Sequence, residues 1–234
     1  MTITILRPST RILTPGARGI RYAQPGGGAA PWWMAAGVTP IVAYQAKGAA
    51  SYAASKVNLA QPGTYDATEG VAPSWDAATG WISDGTAWLD TGIPSPPNNN
   101  WTLISRHNAP GSNSGGRAVI GSSDLSGGVL LAIFWWQLMV WGMNRGYGAV
   151  ALDARVGVLG VAGQTYYFNG APIGTCGTTT DQSPYTIALM TTRIASNGNP
   201  LSRNMIGSQQ AVLIYDQTLS AAQMSMASTA MAAL

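Results

Sequence analysis

Tyr166-Tyr167-Phe168-Asn169-Gly170-Ala171-Pro172-Ile173-Gly174 is the stretch that decides the fold class. Two apolar runs flank Asn-Gly, the dipeptide that supplies the positive φ angles of a tight hairpin. Outward from this hairpin, short apolar runs recur between turn residues, the pattern of an all-β sandwich. The spacing predicts strands over Trp88–Ile93, Trp101–Arg106, Arg117–Gly121, Val129–Trp136, Leu138–Met143, Val156–Val161, Thr165–Phe168, Ala171–Gly174, Tyr185–Met190 and Ala211–Tyr215. Ile41–Tyr44 is expected as the first strand. Ser51–Leu59 reads as one or two turns of helix, favoured by its alanines. Ser220-Ala221-Ala222-Gln223 fits a capping box opening a short C-terminal helix, whose Met224, Ala227 and Met231 share one face. No repeat of fixed period is present.

The first 30 residues differ from this body. Pro8, Pro15, Gly16, Gly19, Pro25 and Gly26-Gly27-Gly28 exclude a long helix or a central strand. Such a segment buries too little apolar surface to offset an ordering entropy of roughly 1–2 kcal/mol per residue, so its order is expected to come from a neighbouring surface. The division is therefore an extended arm over residues 1–30 and a sandwich domain over 31–234. Charge follows the same asymmetry. Met1–Tyr65 holds six basic residues (Arg7, Arg11, Arg18, Arg21, Lys47, Lys56) and no acid, whereas six basic residues face nine acids from Asp66 onward. The two parts carry +6 and −3, a basic leader on a slightly acidic body.

Composition removes several classes. The 234 residues amount to one domain, or one domain with an arm. Hydrophobic residues make up 46% of them and charged residues only 9%, sparse against roughly 25% for an average soluble protein. The chain can build a core, and its surface must be mostly Ser, Thr, Asn, Gln and Gly. A single Cys176 leaves no intramolecular disulfide framework. One histidine, His107, excludes paired-histidine chemistry. Val129–Trp136 is too short for the ~20 residues of a membrane helix. The opening apolar run Met1–Leu6 precedes its Arg7 rather than following a charge, unlike a signal peptide, so neither a targeting nor a membrane segment is expected.

Three stretches together resemble the concanavalin A-like lectin/glucanase superfamily, specifically its LamG-like jelly-roll members. Gly80-Trp81-Ile82-Ser83-Asp84-Gly85-Thr86-Ala87-Trp88-Leu89-Asp90-Thr91-Gly92-Ile93 is similar to the family's early strand. The Tyr166–Gly174 hairpin is similar to its "YVNG" hairpin. Ile206-Gly207 through Val212-Leu213-Ile214-Tyr215-Asp216 to Leu219-Ser220 resembles its closing strand and turn. The resemblance covers roughly Ile41–Leu234. It implies a concanavalin A-like jelly-roll β-sandwich, here with an extended arm in front and a short helix behind. Chains of this layout also resemble structural proteins of tailed phages.

The superfamily includes glycoside hydrolases, which need two positioned carboxyl groups. This chain has one glutamate, Glu69, in a Gly-Pro-flanked loop, and no strand with two acids on one face. Asp84, before Gly85, reads as a turn residue, and Asp90 closes the same strand region. His107, in Arg106-His107-Asn108-Ala109-Pro110, reads as a solvent-facing histidine at a strand end. No G-x-S-x-G elbow occurs, and Gly26–Gly28 lacks the Lys-Ser/Thr of a phosphate loop. No catalytic residue is therefore assigned. Calcium, which many LamG-like domains bind, needs six to eight oxygens. Asp84, Asp124, Asp153 and Asp181 are scattered, and acids that cap turns are the favoured explanation, so no metal or other cofactor is assigned and calcium stays as the alternative.

The aromatics offer a binding face. If Val129–Met143 were one strand, alternation would put Trp135, Gln137, Met139 and Trp141 on one side. Trp135 and Trp141 would stack on sugar rings, with Gln137 and Asn144 offering hydrogen bonds. The competing reading is that these tryptophans are core. Arg7, Arg11, Arg18 and Arg21 are too few for nucleic acid, where affinity scales with phosphates neutralised, and their forked guanidinium suits protein contacts. The expectation is a non-enzymatic virion structural protein, such as a capsid decoration, minor capsid or tail-associated protein, assembled in the host cytoplasm. Its arm would dock on other structural proteins of the same assembly, as a homo-oligomer or part of a symmetric array. The alternative is a carbohydrate-binding module for a host-surface glycan, with a glycoside hydrolase behind it.

Overall fold

The computed structural model describes residues 30–96, 98, 100–110, 116–123, 128–134, 139–142, 146–149, 155–175, 183, 185–191 and 204–234. Among these the strands are β1 (Val42–Gln45), β2 (Thr68–Val71), β3 (Ser74–Asp76), β4 (Gly80–Asp84), β5 (Trp88–Pro94), β6 (Thr102–Asn108), β7 (Gly116–Ser123), β8 (Gly128–Phe134), β9 (Met139–Gly142), β10 (Gly146–Ala149), β11 (Val156–Ala162), β12 (Thr165–Phe168), β13 (Ala171–Thr175), β14 (Thr186–Leu189) and β15 (Ile206–Tyr215). Two helices, α1 (Tyr52–Ser55) and α2 (Ala221–Ala232), and a 3-10 turn at Trp32–Met34 complete them. The arm expected over residues 1–30, with Arg7, Arg11, Arg18 and Arg21, lies outside the described residues apart from Ala30.

The strands form two antiparallel sheets. One has eight strands among the described residues, in the order β13-β12-β11-β6-β15-β4-β3, with β1 also paired to β15. The other has seven, β10-β9-β8-β7-β14-β5-β2. This is the lectin-like β-sandwich with one short C-terminal helix that the sequence implies. The Asn-Gly hairpin joins β12 to β13, with Asn169 at φ 50° and Gly170 at φ 83°. The early stretch Gly80–Ile93 is two strands rather than one. β4 lies in the eight-stranded sheet and β5 in the seven-stranded sheet, so this motif is the corner where the chain changes layers.

The inter-sheet core gathers Val42, Tyr44, Trp81, Leu89, Leu103 and Ile120 with their neighbours. A polar bridge crosses it. Buried Gln209 donates from Nε2 to Ser105 Oγ at 3.0 Å and to the Val119 carbonyl oxygen at 2.8 Å, tying β15 and β6 of one sheet to β7 of the other. A second apolar layer covers the outer face of the eight-stranded sheet. There Ala43, Ile104, Val158 and Leu213 meet Met224, Ala227 and Met231 of α2, with Trp32 and Trp33 packed alongside. The two buried methionines contribute about 1.5–3 kcal/mol each. The capping box on Ser220 and Gln223 is present, and Arg106 Nη1 donates to the Met231 carbonyl oxygen at 2.7 Å, closing the other helix end.

Two expectations are corrected. His107 is not solvent-facing: it is 1% exposed, because Gly157 and Gln209 extend the pairing of β6 beyond Arg106. Glu69 is not in a loop but in β2, an edge strand held in register by Leu89. The two strands expected over Val129–Trp136 and Leu138–Met143 are present as β8 and β9 and pair antiparallel, with Ala132 opposite Trp141 and Phe134 opposite Met139, so the condition of one continuous strand is not met. Alternation is therefore not carried from one to the other.

Gly160, in β11, lies beneath α2. A Cβ there would stand 2.6 Å from Met224 Cε and 3.2 Å from the Leu103 carbonyl oxygen. Gly160→Val is expected to lift the helix at a cost of about 1–3 kcal/mol, read as a lower urea midpoint. Adding Met224→Ala vacates the contested space, so the double variant should be more stable than the two single losses summed.

Candidate functional site

A cleft of about 340 Å3 opens at one end of the sandwich, lined by Ile41, Tyr65, Ile93, Pro94, Ser95, Trp101 and Asp216. Its size lies at the small end of ligand pockets, roughly 300–1,000 Å3. Both sheets contribute. Ile41 precedes β1, Trp101 precedes β6 and Asp216 follows β15, all in the eight-stranded sheet, while Ile93 and Pro94 end β5 of the other. Trp101 is half-buried and packs on the core, Tyr65 is 38% exposed and Ser95 is buried. Asp216 stands exposed at the rim. Two aromatic residues and a carboxylate thus line the cleft where β5 gives way to β6, with the Ser95 side chain buried in its wall.

Tyr65 is placed by an over-determined loop. It adopts φ 59°, a left-handed conformation that is an outlier for a bulky residue and costs of order 1–3 kcal/mol. Hydrogen bonds on both sides impose it. Asn58, fully buried, accepts at Oδ1 from the amides of Ala43 at 3.0 Å and Ala60 at 3.1 Å. Its Nδ2 donates to the carbonyl oxygens of Ile41 and Thr64, both at 2.9 Å. The side chain thereby fills its donors and acceptors, and it joins β1 to the loop. The Asp66 carboxylate accepts from the amides of Asn58 at 2.8 Å and Gly63 at 3.2 Å. Tyr44 Oη donates to the Tyr65 carbonyl oxygen itself.

The electrostatics around this loop are negative. Burial, and then the carboxylates of Asp66 and Asp90, push the Tyr44 hydroxyl far above the usual phenol range, so it remains the donor that the loop needs. Asp90 Oδ1 accepts from the Gly92 amide at 2.9 Å and from Thr186 Oγ1 at 2.7 Å. On the α1 side, Lys56 Nζ pairs with Glu69 and lies 4.3 Å from the Tyr52 ring centroid. The hydrogen bond from Lys56, first among its causes, holds the Glu69 carboxyl below the usual range.

The residues singled out in the sequence fall elsewhere. Trp135, Gln137 and Asn144 lie outside the described residues, and Trp141 sits in β9 opposite Tyr147. Asp84 is a turn residue, its Oδ1 accepting from the Thr86 amide at 3.0 Å and Thr86 Oγ1 at 2.6 Å. Asp124, Asp153 and Asp181 lie outside the described residues. Among the described residues no group of three or more His, Cys, Asp or Glu gathers, and no helix is long and apolar enough to cross a membrane. Sequence reasoning passed over Tyr65, Ser95, Trp101 and Asp216 as site residues. The available signals were an aromatic just after Gly63-Thr64, and another just after the turn-forming run Pro96–Asn100.

No protein-family model matches the chain, and no curated protein matches it in sequence. Its fold is similar to a mutant of Trypanosoma rangeli sialidase displaying trans-sialidase activity, with a TM-score of 0.58 and 13% identity over 82% of this chain. The chain spans 33% of that sialidase. It is also similar to domain 4 of AbnA, a GH43 extracellular arabinanase from Geobacillus stearothermophilus, in complex with arabinotriose. There the TM-score is 0.56 at 13% identity, covering 81% of this chain and 98% of that domain. The receptor binding domain of the botulinum neurotoxin C/D mosaic serotype gives a TM-score of 0.50 at 12% identity, over 82% of this chain and 51% of that one. These likenesses are of fold, and they define a lectin-like β-sandwich.

Asn58→Ala leaves two amides and two carbonyl oxygens without their partner and is expected to cost about 2–4 kcal/mol in chemical denaturation. Asn58→Asp keeps the acceptor, loses both donors and buries a charge beside Asp66. Its folded-state pKa then lies above the unfolded value, so folding takes up a proton and stability rises as pH falls from 7 toward 4. Relative to the native chain, the Ala variant should show no such gain.

Proposed function

We propose that this chain is a non-catalytic glycan-binding module whose sugar site is the cleft of Tyr65, Trp101 and Asp216. The observation that carries the reading is that two aromatic residues and an exposed carboxylate line one cleft, sized for a terminal sugar or two. Aromatic faces pack against the apolar C–H faces of a sugar while polar groups take its hydroxyls. The similarity over 98% of an arabinanase domain described in complex with arabinotriose supports it, as does the resemblance to LamG-like jelly rolls. The described acids support binding without cleavage. Asp216 is the one carboxylate among the described lining residues, and glycoside hydrolysis needs a pair. Asp66, Glu69, Asp76, Asp84 and Asp90 are engaged in local hydrogen bonds.

A glycan array followed by calorimetric titration tests this. Tyr65→Ala should weaken binding about tenfold, or about 1.4 kcal/mol, with the fold retained by circular dichroism. Trp141→Ala should leave binding unchanged. The reverse pattern would move the site to β9, and silence on every glycan would remove the reading.

A second reading concerns the arm and is favoured by the charge asymmetry of +6 and −3. In it the module belongs to a virion structural protein, and Arg7, Arg11, Arg18 and Arg21 anchor residues 1–30 on another protein of the particle. Deleting residues 1–30 should then abolish incorporation into the particle while leaving glycan affinity intact, as measured on purified particles and on the free chain.

A further inference from the structure

We infer that the cleft selects uncharged saccharides, gripping adjacent ring hydroxyls on the Asp216 carboxylate, and rejects sialylated or uronate ends. This rests on the glycan-binding reading above and specifies the ligand class of the same site. The charged group among the described lining residues is Asp216. An ionised carboxylate only accepts hydrogen bonds, and its two oxygens suit two neighbouring hydroxyl donors. A sugar carboxylate brought to the same place offers no donor and adds a like charge.

The surroundings reinforce this choice. Asp66 follows Tyr65 directly in the chain. Asp90 sits two residues before Gly92, and a Cβ on Gly92 would stand 3.9 Å from Tyr65 Cδ1. The field of both carboxylates is felt beneath the loop, at the Tyr44 hydroxyl that holds the Tyr65 carbonyl oxygen. Among the described lining residues none is basic. Lys56, which follows α1, is committed to Glu69. A site built for acidic sugars needs a cationic fork or a set of donors. This cleft presents the opposite sign.

The test uses the full chain and pairs of oligosaccharides that share a neutral core and differ by one terminal sialic acid, titrated calorimetrically. The neutral member should bind at least tenfold more tightly in 50 mM salt, and the gap should narrow in 500 mM salt as the charges are screened. Asp216→Asn removes the charge from an exposed side chain. It should weaken the neutral ligand and bring the two members within about threefold of each other. Equal or tighter binding of the sialylated member by the native chain overturns the inference while leaving the glycan-binding reading in place. An unchanged ratio in Asp216→Asn overturns it too. Binding of neither member, nor of any other saccharide, removes both.

Discussion

Strand β15 is the constraint around which the molecule is assembled. Along one edge it pairs with β6 from Ser208 to Tyr215, and along the other with β4 and then β1. Val212 and Ile214 face the opposite sheet while Ala211, Leu213 and Tyr215 face α2, so the strand is buried on both sides. Antiparallel sheets commonly leave one face to water. Here a chain with only 9% charged residues uses its helix and the Trp32–Met34 turn to cover the second face. A register shift between Gln209 and Ala211 lets Gln209 point inward as well, where it bonds the two sheets. The same strand then delivers Asp216 to the cleft.

The cleft inherits its geometry from this frame. Ile41 bonds through its amide to the Ile214 carbonyl oxygen at 2.9 Å, and Asn58 bonds through its side chain to Ile41 and Ala43. The loop bearing Tyr65 is thus one step removed from β15. A left-handed tyrosine is tolerable there because each flanking peptide group has a buried partner. That arrangement fixes the backbone at Tyr65, so little main-chain freedom remains to be lost there when a ligand arrives.

Stability in this body comes from burial and hydrogen bonding. The Lys56–Glu69 ion pair is partly exposed, where such pairs contribute little. The acids serve mainly to terminate turns, as Asp76 does for the amides of Ala78 and Thr79 and Asp84 for that of Thr86. Used in this way, carboxylates satisfy backbone donors that the short strands leave at their ends.

Local chemistry made the hairpin at Asn169-Gly170, the capping box at Ser220 and the apolar face of α2 legible without a structure. Each depends on residues within four positions of one another. Most strands were legible as well, since a buried strand must be an apolar run bounded by turn residues. What failed was whatever depends on a distant partner. β2 and β3 carry exposed residues and exist through pairing with β5 and β4. The first half of β15 was visible only through the family resemblance, because its register shift breaks the alternation. His107 is buried by strands 50 and 102 residues further along the chain, at Gly157 and Gln209. The cleft was the least legible feature, because Tyr65, Ser95, Trp101 and Asp216 share no motif or period. Sequence alone determined a β-sandwich with a capped terminal helix, since propensity and hydrophobic period are local properties. Only the tertiary structure decided where two aromatic residues and a carboxylate line one cleft, because pairing between distant strands brings those residues together.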